Sequence, residues 1–351
     1  MTDMIFKDIK MVKMEHRRYI FPVGQGGFHF EMIGDKTIVY DCGSLSSLSN
    51  VETYIDYLCT RTGHVNYLFI SHFDMDHVNS LKYLLNSVKV NTAVTAMIPK
   101  DFRAVYNMAT NGAYYVIRGL LTGANVDIEE VEGGENSHND HGYNDIWEWI
   151  AKSMMGANDF TLLRTELSNE GINLNKLNDV EYVEGQRTKI NSAFKTVFGQ
   201  QGPNTKGLIM LSQHCKNSGT WQSEIYRGCD HWECYPYRII DNSVNSSCLY
   251  VGDSKLKKNA GLPIVQGFLK GRMSDLQLEL MQIPHHGSQY NSEKQLDQDI
   301  LADYFFVNDM DTRRLQKNDA LFRSLMAKRK LLVARDHCRD LIVTISWMHK
   351  P

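Results

Sequence analysis

The chain has 351 residues, of which 42% are hydrophobic and 23% are charged, a mixture typical of a soluble globular protein with a sizeable core. Its formal charge of -3 at pH 7 excludes a strongly cationic body, so any binding of nucleic acid must rest on a local patch or on metal ions. No apolar run approaches the ~18 residues that a membrane span needs, which predicts a protein without a membrane segment.

The cysteines and the N-terminus predict a cytoplasmic protein with reduced thiols. The chain has 7 cysteines at irregular spacing, and its N-terminus lacks the apolar core of an export signal. The group Cys229-x-His231-x-x-Cys234 is a candidate structural zinc site, although its spacing is unlike that of an ordinary zinc finger.

The first hundred residues alternate between strand and helix patterns. Residues 18–41 predict β-structure, because "GFHFEMI" alternates and "TIVYD" is β-branched and aromatic. The segment "SNVETYIDYLCTRTG" has helical spacing and ends at Gly63, and "VNYLFI" after it reads as a buried strand. A further helix, "VNSLKYLLNSV", and a further strand, "VNTAVTAMIP", follow. This order predicts a layered α/β fold.

The middle of the chain has a different character. Residues 101–205 are mostly helix-like or polar, and "GGENSHNDHGYNDIWEWI" is interpreted as a loop leading into a helix, with Trp147 and Trp149 packing the core of this segment. Strand patterns return at Lys206. The sequence therefore predicts one sandwich in three parts: a first half over 1–100, a mainly helical insertion over 101–205 and a second half over 206–351.

The segment "SHFDMDH" carries four metal-type ligands directly after the buried strand "VNYLFI". A strand end lies at the rim of a sheet, where His and Asp side chains on a bent loop can hold two cations about 3.5–4 Å apart. Imidazole suits zinc, iron or manganese, and carboxylate suits harder ions. The alternative is a solvated loop with chance spacing. Three later strand ends also deliver His or Asp: Asp41 in "IVYDCGS", Asp253 in "CLYVGDS" and the histidine pair in "MQIPHHGS".

The order of these motifs resembles the metallo-β-lactamase fold. The matching residues are Gly24-Gln25-Gly26, Asp41-x-Gly43, Ser71-His72-x-Asp74-x-Asp76-His77, Gly252-Asp253 and Pro284-His285-His286-Gly287-Ser288. In particular they resemble the hydrolase domain of competence-type DNA-uptake channel proteins. The resemblance implies an αββα sandwich with a metal site at one edge of its two sheets. It covers residues 15–100 and 205–350 and leaves the stretch between them uncovered.

The resemblance also implies the roles of the ligands and a cofactor of two divalent metal ions, zinc or manganese. Asp74 stands where the family's most familiar motif has a histidine. Asp41 is expected to orient a ligand imidazole without binding a metal. The first ion would be held by His72 and Asp74 and the second by Asp76, His77 and His286, with Asp253 bridging the two.

Two further histidines have open roles. The family usually offers a third ligand to the first ion from a strand end before the bridging aspartate, and His214 in "LIMLSQHCK" is the candidate; the alternative is a plain loop histidine. Without His214, the first site would prefer manganese or magnesium over zinc. His285 is expected to act in catalysis together with Asp76, by contacting a substrate phosphate or moving a proton.

Three functions are compatible with this site. The preferred hypothesis is a phosphodiesterase or nuclease in which a dinuclear metal-bound hydroxide, positioned by Asp76, attacks phosphorus; Lys255–Lys258 and residues 312–317 are candidate contacts for a nucleic-acid backbone. The second hypothesis is an amide, ester or thioester hydrolase, because one fold supports both chemistries. The third is an effector subunit of a multi-component, defence-type system that binds a partner protein through residues 101–205. We also expect this segment to border the metal cleft; the alternative is an insertion on the far side that serves oligomerisation.

Overall fold

Two β-sheets lie face to face in the computed structural model of the chain. The structure describes residues 13–133, 139–144, 146–199, 206–215, 220–227, 237–241, 246–273, 277–308, 319–334 and 341–348.

The first sheet has nine strands, in the order β11-β10-β16-β1-β2-β3-β4-β5-β6. Strands β3 to β6 run parallel to one another, and the remaining pairs are antiparallel. The strands are β1 (Lys13–Ile20), β2 (Gly26–Ile33), β3 (Lys36–Ser44), β4 (His64–Ile70), β5 (Lys89–Ala96), β6 (Asp127–Val131), β10 (Thr220–Arg227), β11 (Tyr237–Asp241) and β16 (Leu341–Met348).

The second sheet has seven strands, in the order β15-β14-β13-β12-β9-β8-β7. Strands β12 to β15 are parallel, and β9 is antiparallel to both of its neighbours. The strands are β7 (Asn139–Tyr143), β8 (Trp147–Ser153), β9 (Leu208–His214), β12 (Cys248–Tyr250), β13 (Gln277–Gln282), β14 (Leu301–Asn308) and β15 (Leu331–Ala334).

The helices lie on the two outer faces. The first turn of α1 is capped by the side chain of Ser47, which accepts a hydrogen bond from the Asn50 backbone N–H. The helices are α1 (Leu48–Arg61), α2 (Met75–Val78), α3 (Leu81–Ser87), α4 (Arg103–Ala109), α5 (Ala113–Gly123), α6 (Ala157–Asn169), α7 (Val180–Gly185), α8 (Arg187–Phe198), α9 (Leu262–Arg272), α10 (Leu296–Asp299) and α11 (Asp319–Ala327).

Three apolar cores show that the layers are stacked as helix, sheet, sheet and helix. One core joins the first sheet to α1, α3 to α6 and α8, and another joins the second sheet to α9, α10 and α11. Between the sheets, Tyr40 and Phe69 of the first sheet pack in one core with Trp149 and Tyr250 of the second. Both faces of each sheet are therefore buried, and the predicted αββα fold class is confirmed.

The segment over residues 101–205 differs from the sequence prediction. It contains α4 to α8, but β6 extends the first sheet beside β5, and β8 lies between β7 and β9 in the second sheet. The prediction that sandwich strands resume only near Lys206 was therefore wrong. Trp147 and Trp149 lie between the two sheets and not in a separate core, because "WEWIAKS" is a strand with both faces buried.

The helices of this segment nevertheless contact the predicted metal loop. The rings of Tyr106 on α4 and Tyr114 on α5 pack edge-on against Phe73, with centroids 6.1 and 5.2 Å away. A Cβ built on Gly199, directly after α8, would lie 3.6 Å from Lys255 Nζ. Both ends of the segment thus reach residues within two positions of the predicted ligands His72 and Asp253.

Among the described helices, none combines the length and the apolar character that a membrane-spanning segment requires.

A buried carboxylate connects the two sheets. Glu31 on β2 is fully buried and faces the second sheet. The Arg18 guanidinium, also fully buried, lies beside it and donates to the backbone oxygen of Ser246 at 2.7 Å. Five side chains from both sheets donate hydrogen bonds of 2.6 to 3.0 Å to the Glu31 oxygens: His16, Arg18, Trp149, Ser212 and Tyr250.

This network keeps Glu31 ionised. Burial alone would raise the pKa of Glu31, but the charge of Arg18 and the hydrogen bonds from His16 and Ser212 hold the pKa well below its ordinary value of 4.5. Burial lowers the pKa of His16 to about 4, so its imidazole is neutral and donates one proton to Glu31. Arg18 is therefore the charged partner of Glu31, at 2.8 Å, and it also lies 3.5 Å from the buried carboxylate of Glu279.

We predict that Glu31→Gln lowers the free energy of unfolding by about 3 kcal/mol, the lower end for a broken buried pair, because Arg18 loses its closer carboxylate and keeps only Glu279 at 3.5 Å. Glu15→Gln is the matched control, since Glu15 pairs with Arg17 at the surface of β1, the strand that also carries Arg18, and a pair of this kind contributes about 1 kcal/mol or less. Urea unfolding at neutral pH measures both changes.

The difference in the free energy of unfolding between Glu31→Gln and the unaltered protein should also depend on pH. Because the folded-state pKa of Glu31 is lowered, its stabilisation is fully present above the ordinary value of 4.5 and is lost as pH falls below that value toward the folded-state pKa. Equal losses of stability in the Glu31 and Glu15 variants at neutral pH would show that the pair does not hold the sheets together.

Candidate metal centre

The predicted ligands meet at the edge where the parallel strands end. Strands β3, β4, β12 and β13 all finish at this edge; β3 carries Asp41 in its last residues, and each of the other three is followed by His or Asp side chains of the motifs. The second sheet meets the first here, since the Leu208 N–H donates to the Ser71 oxygen at 2.7 Å.

Glycines bring the ligand loop close to the first sheet. A Cβ built on Gly43 would lie 2.7 Å from the backbone nitrogen of Val78 and 2.8 Å from the backbone oxygen of Asp76. A Cβ on Gly27 would lie 3.0 Å from His77 Nδ1. Because these contacts are too short for any side chain, the two glycines allow α2 to seat Asp76 and His77 against the sheet.

Asp41 organises the loop through three short hydrogen bonds. Its Oδ1 accepts from the Ser71 backbone N–H, and its Oδ2 accepts from Ser71 Oγ and from His77 Nδ1, each at 2.7 Å. Asp41 itself is fully buried and has a left-handed backbone, with φ of 58°. The structure thus places Asp41 behind the ligands, where it was expected to orient an imidazole.

Three histidines have their Nδ1 atoms occupied by the protein. Besides the bond from His77 to Asp41, His72 Nδ1 donates to Ser71 Oγ at 2.9 Å, and His286 Nδ1 donates to the Asn308 backbone oxygen at 3.3 Å. In each ring the proton therefore lies on Nδ1, and Nε2 keeps its lone pair for a ligand.

The first of two ligand groups surrounds one oxygen of Asp253. Asp253 Oδ1 lies 3.3 Å from His77 Nε2 and 3.8 Å from His286 Nε2. Asp76 Oδ2 lies 3.6 Å from His286 Nε2 and 3.9 Å from His77 Nε2. The ligand atoms of these four buried residues all lie within 4.8 Å of one another.

The other group lies around His72. One ligand atom from each of His72, Asp74 and Asp76 lies within 4.8 Å of the others. The second oxygen of Asp253, Oδ2, is 3.9 Å from His72 Nε2. Asp253 thus presents one oxygen to each group, which is the arrangement expected of a bridging carboxylate.

The side chains fit divalent cations. In the described part of the chain, His72 Nε2, His77 Nε2, His286 Nε2 and Asp253 Oδ1 are buried and have no hydrogen-bond partner. A buried polar atom without a partner costs stability, so four of them in the two groups around Asp253 indicate bound groups that accept lone pairs. A cation is the group that satisfies imidazole nitrogens and carboxylate oxygens together.

The electrostatics of the site agree with this interpretation. Burial alone would raise the pKa of Asp253, but the nearby histidines, His77 foremost, hold it well below its ordinary value. Burial would lower the pKa of His77, but the charges of Asp41 and Asp253 raise it well above its ordinary value. The carboxylates of Asp41 and Asp253 thus favour a second proton on the His77 ring, and a bound cation would displace that proton.

His285 lies on the more open side of the site. Its Nε2 is 3.7 Å from Asp253 Oδ2, and its side chain is 24% exposed, whereas that of His286 is 4% exposed. Both histidines have a left-handed backbone with φ of 49°. This conformation turns the two adjacent side chains toward the two sides of Asp253.

His214 does not belong to the site, which corrects the sequence prediction. Strand β9 is antiparallel to β12, so its first residue, Leu208, lies at the metal edge and its last, His214, at the opposite edge. Six residues of strand separate them, about 20 Å. His214 Nδ1 instead lies 3.1 Å from the oxygen of Cys215.

Other candidates from the sequence do not join the site. Lys257 Nζ contacts the Ser292 oxygen, and Lys258 Nζ lies 3.6 Å from Asp299, so these lysines of the Lys255–Lys258 run do not point together at the ligands. Residues 312–317 and the Cys229–Cys234 group lie outside the described residues.

Sequence reasoning missed three supporting residues. Ser71 links Asp41 to His72, and Asn308 accepts the proton of His286 and donates to His29. In the sequence, His29 and Asn308 are polar residues of strands and Ser71 directly follows one. Such positions suggest a buried hydrogen bond but do not identify the residue at its other end.

Comparison with known proteins supplies likenesses of fold only. No family model matches the chain, and no curated protein matches it. Its structure is similar to the metallo-β-lactamase fold protein YhfI from Bacillus subtilis, with 8% identity and a TM-score of 0.44 over 93% of this chain and 99% of that one.

Two metallo-β-lactamases are also similar in structure. MEM-A1, a subclass B3 enzyme isolated from a soil metagenome library, has 12% identity and a TM-score of 0.35 over 90% of this chain and 92% of its own. An enzyme from Cronobacter sakazakii has 12% identity and a TM-score of 0.35 over 89% of this chain and 93% of its own. Because all three TM-scores are below 0.5, the fold assignment rests on the two sheets, the outer helices and the three cores of this chain.

We predict that the metal-free protein binds about two divalent cations per chain, one in each ligand group beside Asp253. Asp253→Asn should weaken the binding of both, because each of its oxygens faces one ligand group. His214→Gln should leave the content unchanged. Elemental analysis after loading with Mn²⁺ or Zn²⁺ and desalting measures the content, and an equal loss in the His214 variant would contradict this assignment.

Proposed function

We propose that this protein is a metal-dependent hydrolase of phosphodiesters, with nucleic acid as the preferred substrate class. The proposal rests on one observation above all: buried, unpartnered nitrogen and oxygen atoms converge on the two sides of Asp253 at the open edge of the sheets. A site of this kind holds cations where a substrate can reach them.

Two bound cations supply Lewis-acid activation of water and neutralise negative charge on the substrate. The chain's own residues provide the rest. Asp76, the carboxylate common to both ligand groups, orients the attacking water. Asp41 holds His77 by a direct bond and His72 through Ser71, which keeps both imidazoles fixed during the reaction.

The composition of the ligands favours phosphate chemistry. The group around His72 adds two carboxylates, Asp74 and Asp76, and it lacks the imidazole that His214 was expected to supply. Oxygen-rich sites favour hard cations such as Mn²⁺ or Mg²⁺, which bind phosphate oxygens well. The likeness of the motifs to those of competence-type DNA-uptake hydrolases supports the same preference.

His285 contacts the substrate in this proposal. Its imidazole lies beside Asp253 but is more exposed than the ligand histidines, so Nε2 can reach a phosphate oxygen or the leaving oxygen. It hydrogen-bonds the phosphate or moves a proton at the leaving oxygen. Burial lowers the pKa of His285, so the free site holds a neutral imidazole that takes up a proton before it can donate one.

The aromatic contacts of α4 and α5 with Phe73 shape the access to this site. Phe73 lies between His72 and Asp74, so Tyr106 and Tyr114 fix the wall next to the ligands. A substrate is then selected by shape and by contact with the cations, which compensates for the absence of a converging lysine patch in the described Lys255–Lys258 run.

We predict that the Mn²⁺-loaded protein hydrolyses bis(p-nitrophenyl) phosphate and single-stranded DNA. Asp76→Ala and His77→Ala should lower kcat by more than about 100-fold, because loss of a ligand exceeds the 10–100-fold effect of losing a ligand's hydrogen-bond partner. Initial rates with matched metal content measure this. Comparable turnover in either variant would contradict the assigned roles, and cleavage of an amide or ester panel without any phosphodiester would favour the alternative chemistry.

His285→Gln should separate catalysis from metal binding. We expect kcat to fall by about 10²–10⁴, the usual contribution of a positioned acid, while metal content stays at the unaltered level. His214→Gln, at the opposite edge, serves as the control and should retain full activity. A loss of metal in the His285 variant would instead make His285 a ligand.

A further inference from the structure

His286 is held differently from the other two ligand histidines. His72 and His77 are both tied to the carboxylate of Asp41, through Ser71 and directly. His286 Nδ1 reaches only a backbone oxygen, that of Asn308, at the longer distance of 3.3 Å. Its backbone is also left-handed, with φ of 49°, a conformation that costs a non-glycine residue free energy. The position of His286 therefore depends on what holds Asn308.

The side chain of Asn308 is anchored in the space between the sheets. Asn308 is the last residue of β14, at the metal edge, and is 2% exposed. Its Nδ2 donates to His29 Nε2 at 3.2 Å. The same residue thus accepts the proton of His286 with its backbone and donates to His29 with its side chain.

His29 is a rigid and neutral acceptor. It is fully buried on β2, among the rings of Tyr40, Tyr250 and Phe306, whose centroids lie 6.4, 5.5 and 5.6 Å from its own. Burial lowers the pKa of His29 to about 3, so the ring carries no charge at neutral pH. An imidazole packed in this way cannot move to follow Asn308, and it fixes where Asn308 lies.

We propose that His29 and Asn308 are positioning residues that set the affinity of the ligand group containing His286. The chain of contacts runs from His29 through Asn308 to His286 and crosses from the first sheet to the second. If the side-chain bond is removed, the Asn308 carbonyl loses its fixed direction, and the His286 ring loses the partner that keeps its Nε2 facing Asp76 and Asp253. Partners of this kind change metal affinity by about 10–100-fold.

The proposal rests on the metal centre described under the proposed function, but it makes no use of the substrate. Its test is therefore a titration of the metal-free protein with Co²⁺, followed by visible absorption, which resolves the binding steps without any turnover. His286→Ala first identifies the step that belongs to the His286 group, because that step should be lost.

His29→Phe removes the acceptor while keeping a ring of similar size, and Asn308→Leu removes the donor in a similar volume. We expect each to weaken the His286-dependent step by about tenfold or more and to leave the other step within about threefold. His29→Gln, whose Oε1 can accept from Asn308 Nδ2, should restore affinity. If Asn308→Leu folds poorly, Asn308→Ser replaces it, and thermal unfolding of the metal-free variants reports the fold separately.

The outcomes distinguish the possible roles. An unchanged His286-dependent step in His29→Phe and Asn308→Leu overturns the proposal, and so does an equal weakening of both steps, which would mean a general structural role. Failure of His29→Gln to bind better than His29→Phe also overturns it. If the unaltered protein binds no Co²⁺, the metal centre itself is refuted; if it binds normally but cleaves no phosphodiester, only the proposed substrate class is refuted.

Discussion

The buried carboxylate of Glu31 is the constraint on which the rest of the structure depends. A charge between two sheets is tolerated only if its oxygens are fully hydrogen-bonded, and here donors from β1, β8, β9 and β12 must all reach the same carboxylate of β2. Two sheets that contact each other only through apolar side chains can shift, but five directional hydrogen bonds to one carboxylate allow little shift. The network therefore fixes how the sheets lie relative to each other, and with them the ends of the strands that carry Asp41 and Asp253.

The metal edge makes use of this alignment, because its ligands come from both sheets. His72 and His77 follow β4 of the first sheet, while Asp253 and His286 follow β12 and β13 of the second. Strand β2 connects the Glu31 network to the metal edge, because it carries both Glu31 and His29. Tyr250 donates to Glu31, and its ring lies 5.5 Å from that of His29, which is two residues before Glu31 on the same face of the strand. The network that aligns the sheets thus continues into the contacts behind the ligands.

The convergence of His72, Asp253 and His286 could be predicted from the sequence because their motifs follow parallel strands. Such strands end at one edge, so His72, Asp253 and His286 were expected to meet without knowledge of their contacts. His214 also lies at the end of an apolar strand, but β9 runs antiparallel to β12, and strand direction is a property of the whole sheet. The error at Trp147 and Trp149 has a similar origin: a strand buried on both faces lacks the alternation that identifies one. The bonds of Ser71 and His29 join residues distant in the chain, which no local pattern encodes.

The loss of His214 from the site changes what the site can do. With it, the group around His72 would hold two imidazoles and would suit zinc, the softer choice. Without it, two carboxylates accompany one imidazole in this group, while the group of His77 and His286 has two imidazoles and two carboxylates. Asp253 lies between two unlike ligand groups. The oxygen-rich group suits a hard cation of the kind that binds phosphate oxygens, and the other group suits a tightly held cation. Under the proposed function, this contrast would orient a substrate, with phosphate oxygens on the side of His72 and Asp74, where His285 and Phe73 also lie.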